Sequence, residues 1–105
     1  MSNPIQDLHK AFDNRIRLGI MSSLMANDTM DFKSLKTLLA ITDGNLASHL
    51  KALEKEGFIT VHKSFKGRKP HTAYQVTTQG RTSFISHISA LENLIKEQLK
   101  TNSHE

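Results

Sequence analysis

Apolar residues fall along this chain at helical spacing in its first half, at two-residue spacing in its middle, and at helical spacing again towards its end. Ile5, Leu8 and Phe12, placed behind Pro4, predict a short opening helix. Asp13 and Asn14 are cap residues for a second helix, in which Ile16, Ile20, Leu24 and Met25 share one face and Asn27-Asp28 forms the end. The stretch from Thr29 to Phe32 has room for a brief strand. Asp31 then caps a third helix with Phe32, Leu35, Leu38 and Leu39 on its apolar side. Only Ala40 to Thr42 separates it from a fourth helix, predicted over about 43–56, which Thr42 caps and Leu46, Leu50 and Leu53 anchor. Gly57 is the stop signal of that helix.

Beyond Gly57 the period changes. Ile59, Val61, Lys63 and Phe65 alternate with Thr60, His62, Ser64 and Lys66, which predicts a strand. Gly67 to Pro70 reads as a turn and His71 to Thr77 as the returning arm, with Tyr74 and Val76 on one face, so a hairpin is expected over about 58–77. Thr77 or Thr78 caps a last helix over about 78–100, striped by Phe84, Ile88, Leu91, Ile95 and Leu99, and Thr101 to Glu105 reads as a frayed tail. About 20 helical residues span roughly 30 Å, the diameter of a small domain, so the far end of this helix needs apolar surface from elsewhere. The expected class is mainly α with a small β-hairpin, one domain over 1–105, its 37% apolar content sufficient for one core.

The order helix, short turn, helix, basic hairpin gives this pattern a direction. On the fourth helix the leucines point one way, while Gly44, Ser48, Lys51, Ala52 and Lys55 point roughly the other. A helix that enters a major groove needs small side chains near base edges and donors near phosphates. Gly44, Ala47, Ser48 and Ala52 meet the first requirement, and Asn45, His49, Lys51 and Lys55 the second. His49 also flanks the leucine face, where it has a structural role open to it. Lys and Arg outnumber Asp and Glu by 14 to 10, and from Gly57 to Leu91 there is no acid at all beside Lys63, Lys66, Arg68, Lys69 and Arg81. A patch of one sign suits a phosphate backbone.

Several segments together resemble a known family: Asn14-Arg15-Ile16-Arg17-Leu18, Thr42-Asp43-Gly44-Asn45-Leu46-Ala47-Ser48-His49-Leu50 with Leu53-Glu54, Lys63-Ser64-Phe65-Lys66-Gly67-Arg68-Lys69-Pro70, and Tyr74-Gln75-Val76-Thr77 with Gly80-Arg81. This series resembles the small MarR-like and ArsR-like winged helix-turn-helix transcriptional regulators, and most nearly the compact winged-helix DNA-binding domain. The resemblance implies a homodimer on a pseudo-palindromic stretch of double-stranded DNA, with the helix from Thr42 in a major groove and Arg68 of the wing on DNA. It also implies dimerisation through the opening and closing helices, here Ile5, Leu8, Phe12, Phe84, Ile88, Leu91, Ile95 and Leu99. Ser48 stands where such regulators often carry Arg, which weakens the guanine readout expected from that position. The resemblance names no operator and no small-molecule effector.

Other chemistries find less support. With no cysteine, thiolate sites and disulfides are excluded. His9, His49, His62, His71, His87 and His104 are scattered without helical ligand spacing, so no metal and no cofactor is expected. The acids stand singly and the serines lack an elbow motif, so no catalysis is expected. No signal peptide or membrane-length apolar run is present, which predicts a cytoplasmic protein. The competing reading is a winged-helix domain that docks protein through the same face without specific DNA binding.

Overall fold

The computed structural model describes residues 5–102. Its elements, in order, are a 3₁₀ turn at Lys10–Phe12, α1 (Arg15–Ala26), β1 (Met30–Asp31), α2 (Phe32–Leu39), α3 (Asp43–Lys55), β2 (Ile59–Lys66), β3 (Lys69–Val76) and α4 (Thr78–Asn102). The strands form one antiparallel sheet in the order β1-β3-β2, with Met30 opposite Tyr74 and Ile59 opposite Val76.

Each of the first three helices starts where a side chain takes up amide hydrogens that the first turn leaves unpaired. Asn14 Oδ1 accepts from Ile16 N at 2.8 Å and Arg17 N at 3.1 Å, Asp31 Oδ1 from Ser34 N at 2.7 Å, and Thr42 Oγ1 from Asn45 N at 3.2 Å. Caps of this kind contribute about 1 kcal/mol each. At Asp31 the bonds from Ser34 also hold the carboxyl below the usual carboxylate range. Helix α3 stops as Gly57 predicts: φ is +81° there, Phe58 N donates to Leu53 O at 3.0 Å and Gly57 N to Glu54 O at 2.9 Å, a Schellman closure. Thr77 joins this stop to the start of α4, since its hydroxyl donates to Gly57 O at 2.7 Å and accepts from Gly80 N at 2.9 Å.

The core gathers Ile20, Met21, Leu24, Leu35, Leu46, Leu50, Leu53 and Ile59 around an aromatic hub. Phe12, wholly buried, stacks on Phe58 at 5.0 Å and meets Phe84 and His87 edge-on, each at 5.3 Å. Leu38, expected on the apolar side of α2, is instead exposed, and Met21 takes a core place on α1.

Two expectations are corrected here. No opening helix forms among the described residues: a turn from Ile5 leads to the 3₁₀ turn, because His9 is extended and its polar groups have partners elsewhere. Its N–H donates to His87 Nδ1 at 2.9 Å and its own Nδ1 accepts from Ala11 N at 3.0 Å. Pro4 lies outside the described residues. The hairpin turn is also tighter than expected. Only Gly67 and Arg68 connect the strands, with φ +65° at Gly67 and no left-handed backbone at Arg68, the pattern of a II′ turn. Pro70 therefore sits within β3, opposite Phe65 and beyond the reach of β1, where its missing N–H interrupts no second ladder.

Helix α4 contains 25 residues and so runs about 37 Å. Of the expected tail, residues 101 and 102 belong to it, and residues 103–105 lie outside the described ones. No described helix is long and apolar enough to cross a membrane.

Candidate nucleic-acid interface

The leucines of α3 fix its orientation. With Leu46, Leu50 and Leu53 buried, Gly44, Asn45, Ala47, Ser48, Lys51 and Lys55 are exposed. Space outside Gly44 is open, with no atom within 4 Å of where a Cβ would stand. Between α3 and the inner face of the hairpin runs a cleft of about 540 Å³. Ala47, Leu50, Val61 and Tyr74 give it apolar walls, and Lys51, Lys63, Thr72 and Glu54 add polar groups. Burial and the nearby Glu54 carboxylate raise the Tyr74 phenol above its usual range. Lys66, Arg68 and Lys69 are exposed further out on the hairpin. Asp43, which would oppose an anion at the start of α3, is paired with Lys36 at 2.8 Å.

His49 is placed differently from the other expected DNA-facing residues. It is half-buried, and its Nδ1 accepts from Arg17 Nε at 3.1 Å, while the same guanidinium donates to Ala11 O at 3.3 Å. Burial, with the Arg17 charge acting the same way, holds His49 below the usual imidazole range. It is thus a neutral strut between α1 and α3. From the sequence Arg17 enters only as part of the Asn14-Arg15-Ile16-Arg17-Leu18 segment, with no role of its own, although its place one turn before Ile20 and Met21, on the buried face of α1, marks a cation with an internal task. The outer face of the hairpin is braced too, since His62 Nε2 meets Gln75 Oε1 at 3.2 Å and Gln75 Nε2 donates to Asp28 Oδ1 at 3.3 Å.

The residues expected at a subunit interface divide into two groups. Phe12 and Phe84 are used up in the core of the chain itself, which corrects their assignment to a contact between copies. Ile5, Ile88, Ile95 and Leu99 are exposed, and Leu8 and Leu91 are half-buried. Ile85, not among the expected residues, joins the exposed set on α4. Ile5, Leu8 and Leu91 also line a second cleft, of about 800 Å³, between the N-terminal segment and α4. No group of three or more His, Asp or Glu residues is arranged to hold a metal among the described residues.

With a helix that exposes its small polar side and a basic two-stranded hairpin set beside it, the comparison with known proteins is decisive. Residues 16–95 match the sequence profile of the winged helix DNA-binding domain. The chain belongs to that family. An uncharacterized protein of Methanocaldococcus jannaschii is 36% identical over 87 residues, covering 83% of this chain and 95% of the relative. The solved structure of a transcriptional regulator homologue from Pyrococcus horikoshii is 31% identical, with a TM-score of 0.79 over 84% of this chain and 87% of that one. A MarR-family putative transcriptional regulator from Enterococcus faecalis shares the fold at 20% identity, with a TM-score of 0.72 over 90% and 84% of the two chains. In this winged helix, α2 and α3 form the helix-turn-helix and the β2-β3 hairpin is the wing.

The buried His87 and the half-buried His49 give the domain a pH dependence. Burial holds His87 below the usual imidazole range, His9 acting the same way and Asp13 against it, and His49 is lowered as well. Folded chains therefore bind fewer protons than unfolded ones once the pH falls below the unfolded imidazole value of 6.5. The contribution of the histidines to stability is expected to be flat above about pH 7.5 and to decline from about 6.5 downward, by at most about 1.4 kcal/mol per pH unit for each histidine. Urea midpoints measured from pH 8 to pH 5 test this. Midpoints that hold steady or rise on acidification would contradict the two assignments.

Proposed function

We propose that this chain is a sequence-specific regulator of transcription that binds double-stranded DNA as a homodimer, residues 1–105 acting as one winged-helix domain in the cytoplasm. The observation that carries the reading is the placement of the exposed side of α3 and an acid-free wing on either side of one cleft, with Lys51 and Lys63 in its walls. A duplex lying there presents a major groove to Asn45 and Ser48 and phosphates to the wing. Lys66 and Lys69 face each other across the hairpin, a like-charge pair that is unfavourable until an anion approaches it. The exposed Ile85, Ile88, Ile95 and Leu99 of α4 supply the surface for a second copy. A two-fold pair of such domains fits a pseudo-palindrome with half-sites about 10 to 10.5 base pairs apart.

Reading and anchoring are assigned to different residues, and their losses differ in kind. Asn45→Ala is expected to cost about 1–3 kcal/mol at one base position and to leave binding to scrambled duplex nearly intact. Arg68→Ala and Lys69→Ala are expected to weaken all sequences together and to flatten the log K against log salt slope by about 0.9 for each phosphate left without its cation. Selection of bound duplexes from a random pool, followed by anisotropy titrations at several salt concentrations, measures both. A domain that docks protein instead would select no sequence and show no steep salt slope, and either result would overturn the proposal.

A further inference from the structure

Phe65 is 73% exposed, the highest exposure among the large apolar side chains described, and the core does not account for it. Side chains alternate along a strand, so the inner face of the wing runs outward through the opposed pairs Val61 with Tyr74, Lys63 with Thr72, and Phe65 with Pro70. The first two pairs line the cleft beside α3, and the third continues the same face toward the tip. It is a small apolar step formed by a ring and a proline, set on a hairpin whose own charged groups are all cations.

Resting on the DNA reading above, we propose that Phe65, backed by Pro70, packs against the deoxyribose wall of the minor groove next to the recognition helix's half-site. Charge selects the occupant. The hairpin itself carries Lys63, Lys66, Arg68 and Lys69 and no carboxylate, and these cations outnumber the acids that reach it from other elements, Glu54 in the cleft, Asp31 near Lys66 and Asp28 on Gln75, so the surface around the ring suits a polyanion with an apolar lining. Duplex DNA has that composition in its minor groove, where sugar C–H groups form walls between two rows of phosphates. The two-residue Gly67-Arg68 turn keeps the tip short and holds the ring and the proline as opposed residues, so that side chains at the tip, and not the body of the hairpin, enter the groove. The cations set the distance to the phosphates, and the ring excludes water from the sugars.

The test compares Phe65→Ala, Phe65→Leu and Arg68→Ala with the unaltered protein by fluorescence anisotropy on selected and scrambled duplexes over a range of salt. Phe65→Ala is expected to lose about tenfold in affinity on both duplexes, with an unchanged salt slope and an unchanged melting curve. Phe65→Leu should retain most of the affinity. Netropsin, which fills AT-rich minor grooves, should displace the unaltered protein from an AT-flanked duplex more readily than it displaces Phe65→Ala relative to their affinities. Full affinity in Phe65→Ala beside a weakened Arg68→Ala would overturn this inference and leave the DNA reading standing. A loss confined to the salt slope would overturn it as well, because the ring would then act only by placing the lysines. Failure of the unaltered protein to bind any duplex would overturn the DNA reading and the inference together.

Discussion

Gly80→Ala is expected to remove about 4 kcal/mol of folding stability, a large part of the roughly 5–15 kcal/mol available to a small domain. A Cβ added at Gly80 collides with the carbonyl oxygen of Phe58 and stands 2.8 Å from its carbonyl carbon. These are backbone atoms and cannot swing aside. Moving them would disturb the bond from Thr77 N to Phe58 O at 3.0 Å and the hydroxyl of Thr77 that bonds Gly57 O and Gly80 N. Phe58, in turn, stacks on Phe12 at the centre of the core. The control is Gly44→Ala, where no atom lies within 4 Å and the backbone is helical, so the same substitution should stabilise by about 0.5–1 kcal/mol. Urea denaturation of both variants gives the comparison. A cost below about 1 kcal/mol at Gly80 would mean that α4 does not approach Phe58 as closely as described.

The second large effect concerns assembly. Ile95→Lys combined with Leu99→Lys is expected to give a monomer in light scattering and to reduce affinity for a two-half-site duplex by about 10²–10⁴, the advantage that disappears when two linked binding events become separate. These side chains are 59% and 62% exposed in the single chain, so the substitutions remove nothing from its core. A single half-site should therefore still be bound with ordinary one-domain affinity, and a melting curve taken at high dilution should be little changed. A dimer that survives both lysines, or a monomer that binds the double site at full strength, would refute the pairing through α4.

Much of this arrangement is legible in the chain because its signals are local. Cap residues at Asn14, Asp31, Thr42 and Thr77, the glycine stop at 57 and the change of period after it depend on neighbours within a few positions, and the elements start and stop close to where those residues place them. The opening segment misleads because the helical spacing of Ile5, Leu8 and Phe12 is shared by a turn that buries Phe12 in another way. What decides the matter is His87, 78 positions away, which takes the His9 amide. Distance in sequence likewise hides the bond between Arg17 and His49, and with it the reason that one histidine of α3 turns inward. The stripe on α4 reads as one surface, yet its first member, Phe84, packs into the hub while Ile88 and Ile95 stay outside. Periodicity identifies a face of a helix but not where along that face the core ends.

Helix α4 is fastened to the domain near its start, at Gly80, Phe84, His87 and Ala90, and carries its exposed isoleucines and Leu99 on the same continuous rod. Such a rod carries phase as well as length. One residue added between His87 and Ile95 would lengthen it by only about 1.5 Å but would rotate everything beyond by about 100°. In a pair of domains joined through that outer stretch, the second reading head would swing around the first instead of sliding along the duplex, and would meet the wrong side of the double helix. Insertions or deletions in α4 would therefore alter which operators the pair can straddle, although no residue touching DNA had changed.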